Sequence, residues 1–145
     1  MTKPEMTYYP NGKIYTITYR NSDGKYHNDD GPACIRYYDN GQKEYVSYWI
    51  DGRWHNLKGP AIIWYYDNGQ KEYEAYYVDG KWHNVSGPAH IEYYDNGQIK
   101  YETYWVEDKW IDGHKLIQEL GINSDYTLWT DDEKDMFAFH ILLEV

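Results

Sequence analysis

The chain has 145 residues and 17.5 kDa, enough for one domain with a modest core. Its mean hydropathy of −0.94 and net charge of −10 leave no run of the ~18–20 apolar residues that a membrane-spanning helix needs. They also argue against direct binding to a phosphate backbone, which requires basic contacts. The single cysteine, Cys34, cannot form an internal disulfide, and MTKPEMTYYP lacks the apolar core of a signal peptide, so a cytoplasmic location is expected. Aromatic residues make up 19%, with 19 Tyr and 7 Trp against 2 Phe. Rings with a polar tip suit a thin fold whose faces are half wet.

Residues 1–7 read as a loosely tied arm. From Tyr8, YYPNGKIYTITYRNSDG is a degenerate half-repeat, so residues 1–22 form an atypical N-terminal cap. Three copies of one 28-residue unit follow at 23–50, 51–78 and 79–106: DGKYHNDDGPACIRYYDNGQKEYVSYWI, DGRWHNLKGPAIIWYYDNGQKEYEAYYV and DGKWHNVSGPAHIEYYDNGQIKYETYWV. A fixed period of this length marks a repeat architecture in which neighbours bury each other's apolar faces.

Each unit reads as a β-hairpin. In copy one, Ala33–Tyr38 and Lys43–Ile50 are rich in aromatic and β-branched residues, and the Asn40-Gly41 pair between them supplies a turn. Asp51-Gly52 makes a second turn, Arg53–Asn56 a short third strand, and Gly59-Pro60 interrupts the ladder. The fold class expected is therefore mainly β: tandem hairpins forming an elongated antiparallel sheet or solenoid. Positions 33/61/89 are always Ala, 35/63/91 always Ile and 37/65/93 always Tyr, so this alternating set should face the core. Cys34, Ile62 and His90, then Arg36, Trp64 and Glu92, vary and should face outward. A three-residue loop with a Gly bulge would bring Tyr45/Tyr73/Tyr101, Ser47/Ala75/Thr103 and Trp49/Tyr77/Trp105 to the inner face. A two-residue turn would bring Tyr48, Tyr76 and Tyr104 there instead, because a one-residue slip exchanges faces. The bulged loop is preferred.

Residues 107–145 break the pattern. Glu107-Asp108-Lys109-Trp110 imitates another turn, and Asp112–Leu120 then predicts a short helix stopped by Gly121. Asn123–Trp129 reads as a loop. Thr130-Asp131-Asp132-Glu133 fits a capping box and opens a second helix, although Phe137, Phe139, Ile141, Leu143 and Val145 also alternate like a strand, which leaves residues 140–145 open between helix and strand. This region is a cap over the open edge of the last repeat. It holds 10 acidic against 3 basic residues, a net charge of −7.

The YYDNGQKEY…DGKWHN…GPA text resembles the variant MORN repeats, from Tyr8 to about Trp110. The DG-x-x-H-x-x-x-GPA form, which departs from the ordinary glycine-richer repeat, is similar to tandem repeats of phage and giant-virus proteins. Bacterial chains of this type are often described as antitoxin-like. The resemblance implies a β-hairpin array that binds proteins and supplies no catalytic residues.

Chemistry is otherwise hard to find in the chain. His27, His55 and His83 recur with the period, but equivalent residues in successive hairpins lie ~9–10 Å apart, too far to share an ion. Each His with its following Asn is expected to satisfy backbone groups near the GPA turn, and neither a metal nor a cofactor is expected. Cys34 has no histidine at a telling spacing, and no phosphate-binding or metal-binding motif is present. The expected function is non-enzymatic protein binding, with Arg36, Trp64, Glu92, Tyr38, Tyr66 and Tyr94 as an aromatic contact surface. Asp131, Asp132, Glu133 and Asp135 would meet a basic partner. Shielding of a thin sheet is the competing role for the tyrosines. A phage-type inhibitor of a host defence or nucleic-acid-handling protein is the concrete form of this reading. The alternatives are an antitoxin or immunity protein, or a scaffold assembling through Phe137–Val145. No membrane partner is expected.

Overall fold

The computed structural model describes residues 3–144. Strand-forming runs separated by turns fold into successive antiparallel hairpins. They are β1 (Glu5–Tyr8) with β2 (Ile14–Thr18), and β3 (Cys34–Tyr37) with β4 (Lys43–Ser47). A two-stranded ribbon, β5 (Trp49–Ile50) and β6 (Arg53–Trp54), carries the Asp51-Gly52 turn. The pattern returns in β7 (Ile62–Tyr65) and β8 (Lys71–Ala75), with the ribbon β9 (Tyr77–Val78) and β10 (Lys81–Trp82). The last repeat has β11 (His90–Tyr93) and the longer β12 (Ile99–Val106), followed by β13 (Lys109–Ile111). Nine strands share one antiparallel sheet in the order β1-β2-β3-β4-β7-β8-β11-β12-β13. The ribbons are bonded to each other beyond its end, through Asn56 N–H to the Tyr77 carbonyl at 3.0 Å and Gly80 N–H to the Trp54 carbonyl at 2.9 Å. The fold is the mainly β hairpin array expected.

Three expectations need correction. The N-terminal arm is already a strand from Glu5, because Glu5, Met6 and Thr7 pair with Thr18, Ile17 and Thr16. Met1, Thr2 and Val145 lie outside the described residues. The stretch 123–129 contains a 3-10 turn at Tyr126–Leu128, capped by Asp125.

The third correction concerns the faces. The loop is the three-residue form expected: Gly41 has φ 87°, Gly41 N–H bonds the Tyr38 carbonyl at 2.9 Å, and Tyr38 N–H bonds the Gln42 carbonyl at 2.8 Å. A second irregularity follows directly. Tyr37 pairs with Lys43 but Arg36 pairs with Tyr45, which leaves Glu44 as an extra residue. Tyr15, Glu72 and Lys100 are the extra residues of the other hairpins. One inserted residue reverses the parity of everything after it. Tyr45, Ser47 and Trp49 therefore share a face with Arg36 and Trp64, while Tyr48, Tyr76 and Tyr104 join the Ala-Ile-Tyr set.

Neither face is simply inside. Ile62, placed outward by its variability, is buried with Ala61, Ala75 and Tyr77 under Tyr45, Trp54, Trp64, Tyr73 and Trp82. On the opposite face the main core forms where the C-terminal cap meets the last repeat. There α1 (Gly113–Leu120) and α2 (Asp131–Ile141) close Leu116, Ile117, Trp129, Phe137 and Ile141 over Tyr104, Val106 and Ile111. Helix α1 begins at Asp112, whose carboxylate accepts the Lys115 N–H, and ends at Gly121 in the left-handed region. Gly113 sits where the Tyr104 ring leaves no room for a Cβ. The capping box of Thr130 and Glu133 starts α2, which stays helical to Ile141 and so settles the helix-or-strand ambiguity. The edge of β12 is covered by β13 only along Tyr104–Val106.

Candidate protein-binding face

The bulge recurs in every hairpin, so like positions fall into rows across the strands. The first row runs Arg36, Tyr45, Trp64, Tyr73, Glu92, Tyr101, each opposite the next in register. Tyr45 and Trp64 lie 4.7 Å apart between ring centroids, and the Arg36 guanidinium sits 4.8 Å over Trp64. Glu44 holds that guanidinium through Nε at 2.7 Å and Nη2 at 3.3 Å. Towards the other end, Lys100 holds Glu92 at 3.1 Å and keeps its carboxyl below the usual range, with His90 at 3.5 Å. Burial, reinforced by Glu92, pushes the Tyr73 hydroxyl up to about 12.

A second file crosses the ribbons: Tyr26, Trp49, Trp54, Tyr77, Trp82, Trp105. Successive centroids are 5.3, 4.8, 5.1, 4.3 and 6.3 Å apart. Two of its tryptophans are tied to the strand below. The Trp49 indole N–H donates to Ser47 Oγ at 2.7 Å, and that of Trp105 to Thr103 Oγ1 at 2.9 Å. In copy two, where the ring is Tyr77, the equivalent small residue is Ala75, with no hydroxyl. Between the two files lies a groove of about 710 Å³ lined by Tyr45, Trp54, Trp64, Tyr73 and Tyr77, with Glu72, Glu92 and Lys100 at its lip. Apolar walls with a few charged groups at the rim suit a segment of another protein.

The residues expected to bind are divided by this geometry. Arg36, Trp64 and Glu92 do stand in one row. Tyr38 and Tyr66 do not offer their hydroxyls to a partner, because each donates to the next repeat, to the Tyr65 carbonyl at 2.7 Å and the Tyr93 carbonyl at 2.8 Å. Tyr94 has no further repeat to bond and is exposed. Asp131, Asp132 and Asp135 are exposed on the first turns of α2, with Lys134 3.3 Å from Asp131. Glu133 is engaged in the capping box, and its bonds from Thr130 hold its carboxyl below the usual range. Since α2 packs through Phe137 on Tyr104, these acids belong to the other side of the sheet from the groove. Of the apolar C-terminus, Phe137 and Ile141 are core, while Phe139, Leu142 and Leu143 are exposed.

Sequence reasoning missed Tyr45, Tyr73, Tyr77 and Trp54 as lining residues, because it assigned the first three to the inner face. The matched Trp–Ser, Tyr–Ala and Trp–Thr choices two residues apart were the available signal. His27 and His55 accept the backbone N–H of Asp51 and Asp79 in the next repeat's turn, each at 3.2 Å. Asn28, Asn56 and Asn84 donate to the carbonyls of Pro32, Pro60 and Pro88. Cys34 is half-buried on the groove face, and burial pushes its thiol up.

The buried carboxylate of Glu74, on the opposite face, is closed in by the chain itself. Tyr93 Oη donates to one oxygen and Lys71 Nζ to the other, both at 2.6 Å. Glu102 accepts from Tyr104 Oη at 2.8 Å, and burial raises its pKa. Among the described residues no group of three or more His, Cys, Asp or Glu could hold a metal, and no helix is long and apolar enough to cross a membrane.

Residues 2–21, 62–79 and 89–107 match a family model described as MORN repeat variant, each segment covering one hairpin and less than half the chain in total. Residues 34–51 escape the match although they carry the same YYDNGQKEY text. Repeats of this kind are non-enzymatic modules, commonly protein- or membrane-binding scaffolds. No curated protein and no solved structure matches the chain significantly.

Proposed function

We propose that the chain is a non-enzymatic protein-binding module whose partner lies along the aromatic groove between Trp64 and Trp54. The observation that carries this reading is the groove itself. Half-exposed Tyr and Trp rings are held rigid by cross-strand packing, so little side-chain entropy is lost on contact. Within this class we infer an inhibitor of a nucleic-acid-handling or defence protein, a reading supported by the net charge of −10. The surface of such a partner is basic, and the acids of α2 would attract it from a distance without forming the main contact.

The experiment is affinity capture with identification of a stoichiometric partner, followed by titration of that purified partner against variants. Trp64→Ala is expected to weaken binding at least tenfold, the effect of losing an anchor worth ~2 kcal/mol. Asp131→Lys with Asp132→Lys should slow association and lose its effect at high salt. A partner indifferent to Trp64→Ala, with the variant's fold intact by circular dichroism, would refute the groove as its seat.

A further inference from the structure

Two series of side-chain hydrogen bonds between repeats run in one direction. Tyr9, Tyr38 and Tyr66 donate their hydroxyls to the carbonyls of Tyr37, Tyr65 and Tyr93, at 2.7, 2.7 and 2.8 Å. Asn40 and Asn68 donate their side-chain amides to the carbonyls of Asp67 and Asp95, at 3.1 and 3.0 Å. Both series stop at the last repeat. The Tyr94 hydroxyl donates to none of the described residues, and the Asn96 amide turns back to Gln98 at 3.4 Å. At the other end Tyr8 occupies the acceptor position of the series: it pairs with Ile14 next to the bulge, as Tyr37 pairs with Lys43. None of the described residues precedes it as a donor.

The backbone edges match in the same way. Strand β1 is the first of the sheet, and none of the described residues pairs along its outer side. Strand β12 pairs with β13 only over Tyr104–Val106, which leaves the edge of Ile99–Thr103 open. In the preceding repeat the same stretch is paired, with Tyr73, Glu74 and Ala75 opposite Glu92, Ile91 and His90. Carried one repeat on, that register sets Tyr101, Glu102 and Thr103 opposite Thr7, Met6 and Glu5. A groove of about 810 Å³ lies beside the open edge, between Ile99 and Tyr101 on one wall and His114 and Asp125 on the other. Large apolar side chains are exposed at both ends, with Met6 and Tyr8 at one and Tyr94 and Tyr101 at the other.

We propose that β12 takes up β1 of a second copy of this chain, head to tail, so that the sheet and its hydrogen-bond series continue from one molecule into the next. Strand addition at an edge supplies the main-chain bonds, and the side-chain register supplies the specificity. The contact joins unlike ends, so each added copy presents the same free end again and growth does not stop at a dimer. The site is the sheet edge that adjoins the aromatic groove, with Tyr93 and Lys100 lining both, and the strand pairing does not depend on what that groove binds.

The test is sedimentation of the purified chain over a range of concentrations. The weight-average mass should rise past that of a dimer as concentration increases. A chain with both Thr7→Lys and Tyr101→Lys places two ammonium groups opposite each other at the junction and should remain monomeric. Thr7→Glu with Tyr101→Lys should associate again, which misfolding of the lysine variant would not explain. Tyr94→Phe removes only an exposed hydroxyl and should weaken association about fivefold, the value of one net hydrogen bond. A wild-type chain that stays monomeric throughout, association unchanged in the double-lysine chain, or association unchanged by Tyr94→Phe would each overturn the proposal.

Discussion

Copies one and three share 18 of their 28 residues and have different surroundings. Ile35 is half-buried where Ile91 is fully buried, and Tyr48 is half-buried where Tyr104 is 1% exposed. For Tyr104 the difference comes from the C-terminal cap, whose Leu116, Ile117, Phe137 and Ile141 close over it, while Tyr48 has its repeat neighbours alone. In a single-layered array a residue's burial is set by what stacks beside it, so equal sequences hold unequal stability. The position that is Val46 in copy one shows the same influence. It becomes Glu74 and Glu102 near the cap, where Tyr93 and Tyr104 supply hydroxyls to a buried and a half-buried carboxylate.

The largest test of this comparison is Phe137→Ala. The ring is fully buried between Tyr104 and Trp129, so its removal should cost about 3–5 kcal/mol in chemical denaturation. A cost near that of a surface change would mean that the cap is not what makes copy three rigid. Next comes the matched pair Ile91→Ala and Ile35→Ala. The first should cost about 2–5 kcal/mol and the second roughly half as much, and equal values would break the comparison. The smallest effect near neutrality concerns the buried tyrosines. Burial pushes Tyr73 up to about 12, and burial also raises Tyr76, Tyr93 and Tyr104 from the ordinary 10. The folded chain therefore keeps protons that the unfolded chain releases above 10. Stability from these groups is complete below that pH and is lost as the pH rises through about 12. The urea midpoint should hold from neutrality to about pH 9 and fall steeply above about pH 10, with Tyr93 and Tyr104 among the last to ionise.

Features decided within a few residues were legible in the sequence. Asp112 and Gly121 bracket α1, Thr130 and Glu133 start α2, and Gly41 takes the left-handed position of its loop, each through contacts reaching at most four residues. The division of faces was not legible. It turns on one extra residue, Glu44, which has ordinary strand propensity and follows an ordinary loop, and that single insertion exchanged Tyr45 with Tyr48. The tyrosine after each repeated Tyr was misread for a different reason. Tyr38 looks free when one hairpin is considered alone, and its acceptor is Tyr65, a full repeat away. Of the expected site, the row of Arg36, Trp64 and Glu92 was visible because variation among near-identical copies marked it. The rings between them come from the second strand of each hairpin and could be placed only once its register was known.

The bond between Trp49 and Ser47, repeated as Trp105 and Thr103 and absent where Tyr77 meets Ala75, bears on how such an array could be reshuffled. Recombination between copies one and two that joined the chain up to Ala75 to the chain from Tyr48 would set the Trp49 indole N–H over an alanine methyl, a donor without its acceptor. A breakpoint at any other position of the unit passes both members on together. The two residues that must travel as a pair are only one residue apart, so inheritance by whole or partial units rarely separates them.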